Sequence, residues 1–376
     1  MVASDAGRDM VTGEVSREEA RPEDSSPSGR ADERFRIGIA GYDLWPHAVN
    51  FCRVLRDADF CRVSAVWDED PRHLARLVEL TGAEGYADLD AFCRSDVQGA
   101  IVTARTSMRR DVARALARAG KHVLSDKPMA MSVAECLEII RACREAGVVL
   151  MGGYNFRYWR TWRLMKRIAD SGELGDLLHL YCAYNSGMIR RSEWEDTYDS
   201  YWTDPAATPG GGWLTHGDHP IDLTRWLFGV EFTEVLADMR TLRYPEHPLE
   251  DYGVAHFLLS NGGTAVVHSD AISPTARLEV VVICERGGMA YTLVPEPRLK
   301  VWGAPSLGAA TVEYAVPEHW VDALGAMTRA FVEAVQAGAP PPITGEDNMR
   351  VIEVVEAAYR SSREGRRVAI ARAPVA

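Results

Sequence analysis

Residues 34–51, RFRIGIAGYDLWPHAVNF, have the spacing of a turn that binds the phosphates of a dinucleotide. A short apolar run predicts a strand that enters a helix, and glycines are expected at positions 41, 43 and 46. The first glycine makes the tight turn, the second lets the backbone approach the pyrophosphate, and the third allows close packing of helix on strand. Only Gly41 is present, with Asp43 and Pro46 at the other positions. These residues alone leave cofactor binding and cofactor loss both open.

Asp43 has two interpretations. Its carboxylate stands where phosphate oxygens are expected, and like charges repel each other there. Alternatively, it is the N-cap of the helix that Pro46 opens, and it then occupies backbone amides that a pyrophosphate would need. Neither interpretation excludes a bound cofactor, because the side chain can turn outward.

Asp68 favours a cofactor. It ends the second predicted strand, 27 residues after Gly41 (68 − 41), which is close to the usual spacing of an acid that bonds the adenosine ribose hydroxyls. The alternative is a plain turn aspartate. Because Asp68 and Glu69 together would repel a 2′-phosphate, the sequence favours NAD over NADP.

The segment HGDH, residues 216–219, contains ligand types that suit zinc. A zinc site would need a further ligand from elsewhere in the chain, and the spacing matches no strong metal signature. The other interpretation is a set of polar residues at a helix N-terminus. We therefore predict no metal at this segment.

The composition favours small-molecule chemistry. The chain has 376 residues, 47% of them hydrophobic, and a net charge of −12, so nothing suggests a nucleic-acid or anionic-membrane partner. Seven cysteines without a CxxC pair lie in apolar periodic segments, as expected of buried thiols. With no apolar run of about 18–20 residues and no export signal, the sequence predicts a cytoplasmic protein.

Two domains are predicted after a tail. Residues 1–34 lack aromatic residues and are rich in charged residues, Ser and Pro, so they predict a disordered tail. From 35 to 153, short apolar strands alternate with amphipathic helices, which predicts a Rossmann-type, doubly wound parallel sheet. Residues 154–376 have longer consecutive strand patterns and few helices, which predicts an α+β domain with a large, mostly antiparallel open sheet. The chain is thus expected to be an α/β protein.

Local signals place the helices. Ser132 and Glu135 have the spacing of a capping box, and Gly120 and Gly147 lie just past helix ends. The predicted helices are 46–56, 71–80, 109–119, 132–146, 160–171, 217–228, 320–337 and 347–363.

Several motifs, in order, resemble the glucose–fructose oxidoreductase, inositol dehydrogenase and MocA family (Gfo/Idh/MocA). They begin with AGKHVLSDKPMA, in which Asp126-Lys127-Pro128 stands for the family's Glu-Lys-Pro. The others are YNFRY, IADSGELGDL, YWTDPAATPGGGWLTHGDHPIDLTRWLFG, AFVEAVQAGAPPP and VVEAAYRSSREGRRVAI, so that the likeness covers about 35–371. It implies NAD(P)-dependent oxidation or reduction of a hydroxyl or carbonyl on a sugar, cyclitol or sugar derivative, by an oligomer such as a dimer or tetramer.

The resemblance assigns the chemistry to Lys127 and His219. Hydride transfer from an alcohol needs a group that takes the hydroxyl proton and a group that holds the oxygen. The family often has an assisting carboxylate four residues before this histidine; the spacing gives Thr215 there, or His216 if the glycine triplet is the anchor. Asp218 is the nearest replacement, so the predicted catalytic residues are Lys127, His219 and Asp218.

The turn, the strand ends and the resemblance together predict the remaining contacts. Cofactor contacts are expected at Gly38, Gly41, Tyr42, Asp43, Leu44, Asp68, Thr103, Arg105, Asp126 and Lys127. Substrate contacts are expected at Lys127, Asn155, Arg157, Thr215, His216 and His219. Arg105 and Arg109 replace the family's usual Pro and His, and they predict either an anion-binding pair or solvated surface. Two further alternatives are a lyase, epimerase or glycoside-cleaving enzyme that recycles NAD, and a non-catalytic homologue without cofactor.

Overall fold

A computed structural model describes residues 33–42, 45–186, 203–308, 311–317 and 320–374. The predicted tail, Asp43 and Leu44 lie outside the described residues, apart from the last two positions of the tail. The two interpretations of Asp43 therefore stay predictions.

The first half of the chain forms a six-stranded parallel sheet with the order β3-β2-β1-β4-β5-β6. This is the doubly wound arrangement in which the strand order reverses between β1 and β4, the place where such sheets bind ligands. The predicted Rossmann-type sheet is confirmed. Its strands are β1 (Phe35–Ala40), β2 (Cys61–Trp67), β3 (Glu84–Tyr86), β4 (Gly99–Val102), β5 (His122–Ser125) and β6 (Leu150–Gly152).

Three of the helices between these strands begin at polar caps. Asp70, Asp88 and Ser132 each accept a backbone N–H of the helix that follows, which satisfies one of the free amides. Glu135 bonds the Met131 N–H instead of the Ser132 N–H, so the predicted capping box is only half formed. The helices are α1 (Trp45–Arg56), α2 (Pro71–Thr81), α3 (Leu89–Arg94), α4 (Thr106–Arg118) and α5 (Val133–Glu145).

The second half builds a nine-stranded sheet with the order β14-β13-β12-β11-β7-β10-β9-β8-β15. Every neighbouring pair is antiparallel except β7 with β10, so the predicted mostly antiparallel sheet is confirmed. Its strands are β7 (Leu177–Asn185), β8 (Phe232–Arg240), β9 (Tyr252–Leu259), β10 (Thr264–Asp270), β11 (Arg277–Cys284), β12 (Gly288–Thr292), β13 (Arg298–Trp302), β14 (Val312–Ala315) and β15 (Val368–Ala369).

The helices of the second half lie on one face of this sheet and against the first sheet. After a 3-10 turn at Asn155–Tyr158, they are α6 (Arg160–Asp170), α7 (Gly212–Phe228), α8 (Trp320–Ala337) and α9 (Gly345–Glu364). Helix α8 packs on α1, and α9 packs on α5. The Gly152 N–H also bonds the Ile343 carbonyl oxygen at 2.9 Å. The C-terminal helices therefore hold the two sheets together.

Two predicted helix starts are wrong. Helix α4 begins at Thr106 and not at Arg109, and α7 begins at Gly212 and not at Gly217. At α7 a distant carboxylate caps the helix start, as described below. Among the described residues no helix could span a bilayer. In the same part of the chain, no three His, Cys, Asp or Glu side chains are grouped as a metal site requires.

Candidate active site

Gly41 ends the first strand at the ligand edge of the parallel sheet. Its φ is +100°, and a Cβ there would collide with the Ala104 backbone just after β4. The Thr103 hydroxyl donates to the Gly41 carbonyl oxygen at 2.5 Å. A glycine is therefore required here, since only glycine adopts this φ without strain and leaves the turn close to β4. Gly41 thus has the conformation expected of the first glycine of a dinucleotide-binding turn.

Asp68 lies at the end of β2 and is almost fully buried. One carboxylate oxygen accepts the Tyr42 N–H at 2.8 Å, and the other accepts the Asp70 N–H at 2.8 Å. The His73 ring lies 3.6 Å from the second oxygen and packs on the Tyr42 ring. Asp68 thus ties the turn after β1 to the turn after β2, and it stands at the position predicted for the ribose acid.

Of two other predicted cofactor residues, Gly38 lies inside the sheet, whereas Arg105 follows β4 at the ligand edge. Gly38 is inside β1, where an added Cβ would come within 2.6 Å of the Phe92 ring, so this glycine makes room in the core. Arg105 is partly buried and is the N-cap residue of α4, without a capping hydrogen bond from its side chain.

Arg109 is a correction to the sequence interpretation. The arginine expected to bind an anion or face solvent is fully buried. Its guanidinium donates to three backbone carbonyl oxygens, those of Ala104 at 2.7 Å, Asp126 at 2.8 Å and Pro128 at 2.7 Å. Three such bonds to neutral carbonyls satisfy much of a buried cation's need for partners. Arg109 therefore supports the segment that carries Lys127.

Lys127 follows β5 and points to the helix α7. Its ammonium donates to the Thr215 carbonyl oxygen at 2.6 Å and lies 3.9 Å from an oxygen of Asp218. The Thr215 hydroxyl bonds the Gly211 carbonyl oxygen at 2.8 Å, so this residue offers its backbone to the lysine. Lys127, Asp218 and the nearby His219 are all nearly inaccessible to solvent. The predicted catalytic residues are thus brought into one buried cluster.

Burial sets the protonation of this cluster. It raises the pKa of Asp218 to about 7, and the positive charge of Lys127 opposes this rise only in part. Burial, followed by the charge of Lys127, holds the pKa values of His216 and His219 well below their usual range. Near neutral pH both imidazoles are therefore neutral, and Asp218 is close to its midpoint of ionisation.

Aromatic rings fix the two histidines. The His219 ring stacks on Phe156 with a centroid distance of 3.9 Å, and the His216 ring stacks on Tyr184 at 3.8 Å. Among the described residues, the Nδ1 atoms of both histidines and the Tyr154 hydroxyl have no hydrogen-bond partner, and the Asp218 carboxylate receives no side-chain hydrogen bond. Buried polar atoms without partners are costly. This set therefore fits a polar ligand.

Asn155 and Arg157 lie in the 3-10 turn before α6, and both are buried. The Arg157 guanidinium forms two hydrogen bonds with Asp222, at 2.8 and 2.6 Å. This paired geometry orients both charges and offsets the cost of their burial. Asp222 lies on the same helix as His219, and its carboxylate accepts the hydrogen bonds of Arg157. The described contacts of Arg157 are thus internal to the protein.

Glu250 was not found from the sequence. It precedes β9, and one carboxylate oxygen accepts the N–H groups of Gly211 and Trp213 at 2.9 and 3.1 Å. The Tyr359 hydroxyl donates to the same oxygen at 2.7 Å. The start of α7 therefore has its cap from a residue 39 positions away. An added Cβ at Gly210 would collide with the Tyr359 hydroxyl, which accounts for part of the glycine triplet.

Two family profiles match this chain. The profile described as "Oxidoreductase family, NAD-binding Rossmann fold" matches residues 35–154, and that of the GFO/IDH/MocA C-terminal domain matches residues 162–290. The matches fall on the two sheets described above and include Lys127, Asp218 and His219.

Individual relatives agree with these profiles. Inositol 2-dehydrogenase of Pseudomonas fluorescens is 28% identical over 320 residues, which are 81% of this chain and 88% of the relative. The 2,7-anhydro-N-acetylneuraminate hydratase of Mediterraneibacter gnavus is 27% identical over 178 residues, 47% of this chain and 45% of the hydratase. Among solved structures, GenD2 from gentamicin A biosynthesis in complex with NAD is 25% identical, with a TM-score of 0.77 and coverage of 92% of this chain and 99% of that one. The chain belongs to the Gfo/Idh/MocA family of oxidoreductases.

Proposed function

We propose that this NAD(P)-dependent dehydrogenase uses NAD, and that Lys127, Asp218 and His219 act on one secondary hydroxyl of a sugar-like or cyclitol substrate. The observation that supports this proposal is the buried cluster of these three side chains beside the ligand edge of the parallel sheet. A nicotinamide cofactor, when bound, supplies the hydride acceptor or donor.

Lys127 holds the substrate oxygen. Its ammonium has three donors, and one of them is used by the Thr215 carbonyl oxygen. The remaining donors can bind a hydroxyl or a carbonyl oxygen, whose developing negative charge the ammonium stabilises. The bond to Thr215 fixes the direction of the amine, so the substrate oxygen meets a lysine that is already oriented.

Asp218 takes the proton. Alcohol oxidation removes a proton from oxygen as the hydride leaves carbon, and a base with a pKa near the working pH is best suited to receive it. The pKa of Asp218, about 7, meets this condition. The lowered pKa of His219 makes it a weak base, so His219 binds the substrate as a neutral imidazole. In the reverse direction Asp218 returns the proton to the alkoxide oxygen.

The preference for NAD rests on charge. Asp68 ends β2 with a buried carboxylate, and Glu69 follows it. A 2′-phosphate beside these two acids would meet like charge, whereas a ribose hydroxyl can donate to a carboxylate. Thr103, Tyr42 and Gly41 provide backbone and hydroxyl groups at the same edge.

The direct test is the absorbance at 340 nm during incubation with NAD or NADP and a panel of cyclitols, sugars and sugar acids. We expect NADH formation with at least one of them, at higher kcat/KM with NAD. Lys127→Met should reduce kcat by a factor of about 100 or more, the range of a lost acid–base and orienting group. Lys166→Met is the matched control, since Lys166 pairs with Asp170 on α6. An equal loss in both variants would contradict the proposal.

A second candidate is an enzyme that keeps NAD bound and regenerates it in each turnover. The similarity to a hydratase favours it, because hydration causes no net oxidation or reduction of the substrate. In that case NAD would co-purify with the protein, and product would form without a change at 340 nm. The same Lys127, Asp218 and His219 would serve both reactions.

The outer face of the nine-stranded sheet supports a homo-oligomer. Leu236, His256, Val266, Tyr181 and Val281 stand in one row across β8, β9, β10, β7 and β11. Leu236 is 43% exposed and Ile283, two residues beyond Val281, is 37% exposed. Exposed apolar side chains on a sheet are covered by a second copy in many proteins. Light scattering should show a dimer or tetramer, and Ile283→Asp should shift it toward monomer.

A further inference from the structure

We propose that His47 is a positioning residue, which acts through Asp126 to hold Lys127 in its working place and so links helix α1 to the proposed chemistry. The inference deepens the proposed function and rests on Lys127 being the group that binds the substrate oxygen. It rests on contacts that join three elements far apart in the chain.

The first contact is between His47 and Asp126. His47 lies in the first turn of α1, and its Nδ1 is 2.8 Å from one oxygen of Asp126, 79 residues later in the chain. The Asp126 side chain is inaccessible to solvent, and that of His47 is 15% exposed. Burial raises the pKa of Asp126, but His47, its hydrogen bond and the charge of Arg109 outweigh this and lower the pKa. The carboxylate is therefore ionised, and the imidazole donates to it.

The second contact runs from Asp126 to Lys127. The other carboxylate oxygen accepts the Lys127 N–H at 2.8 Å. One aspartate thus receives the imidazole with one oxygen and the lysine backbone with the other. A displacement of His47 changes the orientation of this carboxylate, and the Lys127 backbone turns with it. Short hydrogen bonds to a charged acceptor transmit such a change well, because they are strong and directional.

The remaining contacts fix the same segment from other sides. Arg109 of α4 bonds the carbonyl oxygens of Asp126 and Pro128, and the Lys127 ammonium reaches Thr215 of α7. Among the described residues, His47 provides the side-chain hydrogen bond from α1 to this segment. Lys127 is consequently held by α4, by α7 and, through Asp126, by α1.

The hydrogen bond from His47 connects the Lys127 segment to the first turn of α1. The N-terminus of the first helix in a doubly wound fold is the end that faces the cofactor phosphates. His47 lies in that first turn, so a change in the position of the turn reaches Asp126 and Lys127 directly.

A double-mutant cycle tests the inference with His47→Ala, Asp126→Asn and the double variant. His47→Asn is the conservative control, because the asparagine amide can take the place of Nδ1 as donor. We expect His47→Ala to lower kcat at saturating NAD about tenfold or more, while the Kd for NAD by calorimetry stays within about threefold. His47→Asn should recover most of kcat. The double variant should be no slower than Asp126→Asn, since coupled residues give non-additive effects.

Hydrogen exchange of the full chain provides a readout that needs no turnover. The amides of residues 122–131 should exchange at least about threefold faster in His47→Ala than in the wild type and His47→Asn, whereas those of β11 should not change. Multiplicative losses in the double variant, or a Kd for NAD that weakens as much as kcat, would overturn the inference and make His47 a direct cofactor contact. If the wild type lacks turnover, the proposed function fails, and the exchange result still decides the role of His47; unchanged exchange at 122–131 would refute it.

Discussion

Replacing Asp218 with asparagine removes one ionisable group from the buried cluster and leaves the shape of the side chain nearly unchanged. In the folded protein, burial raises the pKa of this carboxyl from 3.8 to about 7. The folded protein therefore binds a proton more tightly than the unfolded chain does. The stability that this group contributes is complete below about pH 4 and is lost as the pH rises toward 7, because the unfolded chain ionises first.

The size of the effect follows from the same pKa values. Each unit of pKa difference corresponds to about 1.4 kcal/mol, so the full loss has an upper limit of about 4 kcal/mol. Between pH 5 and pH 8, linkage gives a loss of about 2–3 kcal/mol in the free energy of unfolding from Asp218 alone. An asparagine has no such loss. The difference in stability between Asp218→Asn and the wild type should therefore change by about this amount, in favour of the variant, from pH 5 to pH 8.

Urea denaturation of both proteins at pH 5, 6, 7 and 8 measures this difference. Asp170→Asn is the control, because Asp170 is exposed on α6 and its replacement should shift all four curves equally. The same variants give the activity profile: kcat of alcohol oxidation should rise through about pH 7 in the wild type, and it should be low and flat in Asp218→Asn. A stability difference that is constant with pH would mean that Asp218 is ionised throughout and is a permanent ion-pair partner of Lys127, and the proton-acceptor role would then be refuted.

Three further predictions concern the cofactor turn and the cap of α7. Gly41→Ala should abolish NAD binding in calorimetry, because its φ alone costs about 1–3 kcal/mol and its Cβ would strike the backbone after β4; unchanged affinity would contradict this. Asp43→Gly should tighten NAD binding, and equal or weaker binding would show that the carboxylate is no obstacle. Tyr359→Phe should cost about 1.5–3 kcal/mol of unfolding free energy, the value of a hydrogen bond to a charged group, through Glu250; a loss below about 0.5 kcal/mol would make that bond dispensable.

Local spacing was enough for most elements of the fold. Alternation of short apolar strands and amphipathic helices predicted the parallel sheet, and longer consecutive strand patterns with few helices predicted the second sheet. The glycines at 120 and 147 were recognised as helix ends, and both have positive φ. These features depend on neighbours in the chain, which is why sequence alone identifies them. The sequence patterns did not predict β3, β8, β13, β14 or β15; apart from β8, these strands have five residues or fewer and give little periodicity.

Long-range partners explain what the sequence could not predict. Arg109 was interpreted as an anion-binding or surface residue from its charge, and arginine is seldom buried; three carbonyl oxygens, those of residues 104, 126 and 128, offset the cost of its burial. Glu250 caps a helix that begins 38 residues before it (250 − 212). His47 and Asp126 are 79 residues apart. No local pattern marks such pairs, since each residue type is common in loops and at helix ends.

In the proposed mechanism, Asp218 rebuilds a family site within one turn of a helix. The family's assisting carboxylate is expected four residues before His219, where this chain has Thr215. Residues three apart on a helix lie on nearly the same face, so Asp218 shares the face of Thr215. The contacts agree: Lys127 bonds the Thr215 carbonyl oxygen and lies 3.9 Å from Asp218. A carboxylate moved by three residues thus remains beside the lysine. Deep burial then gives it a pKa close to neutrality, a property that follows from its surroundings and not from its place in the motif.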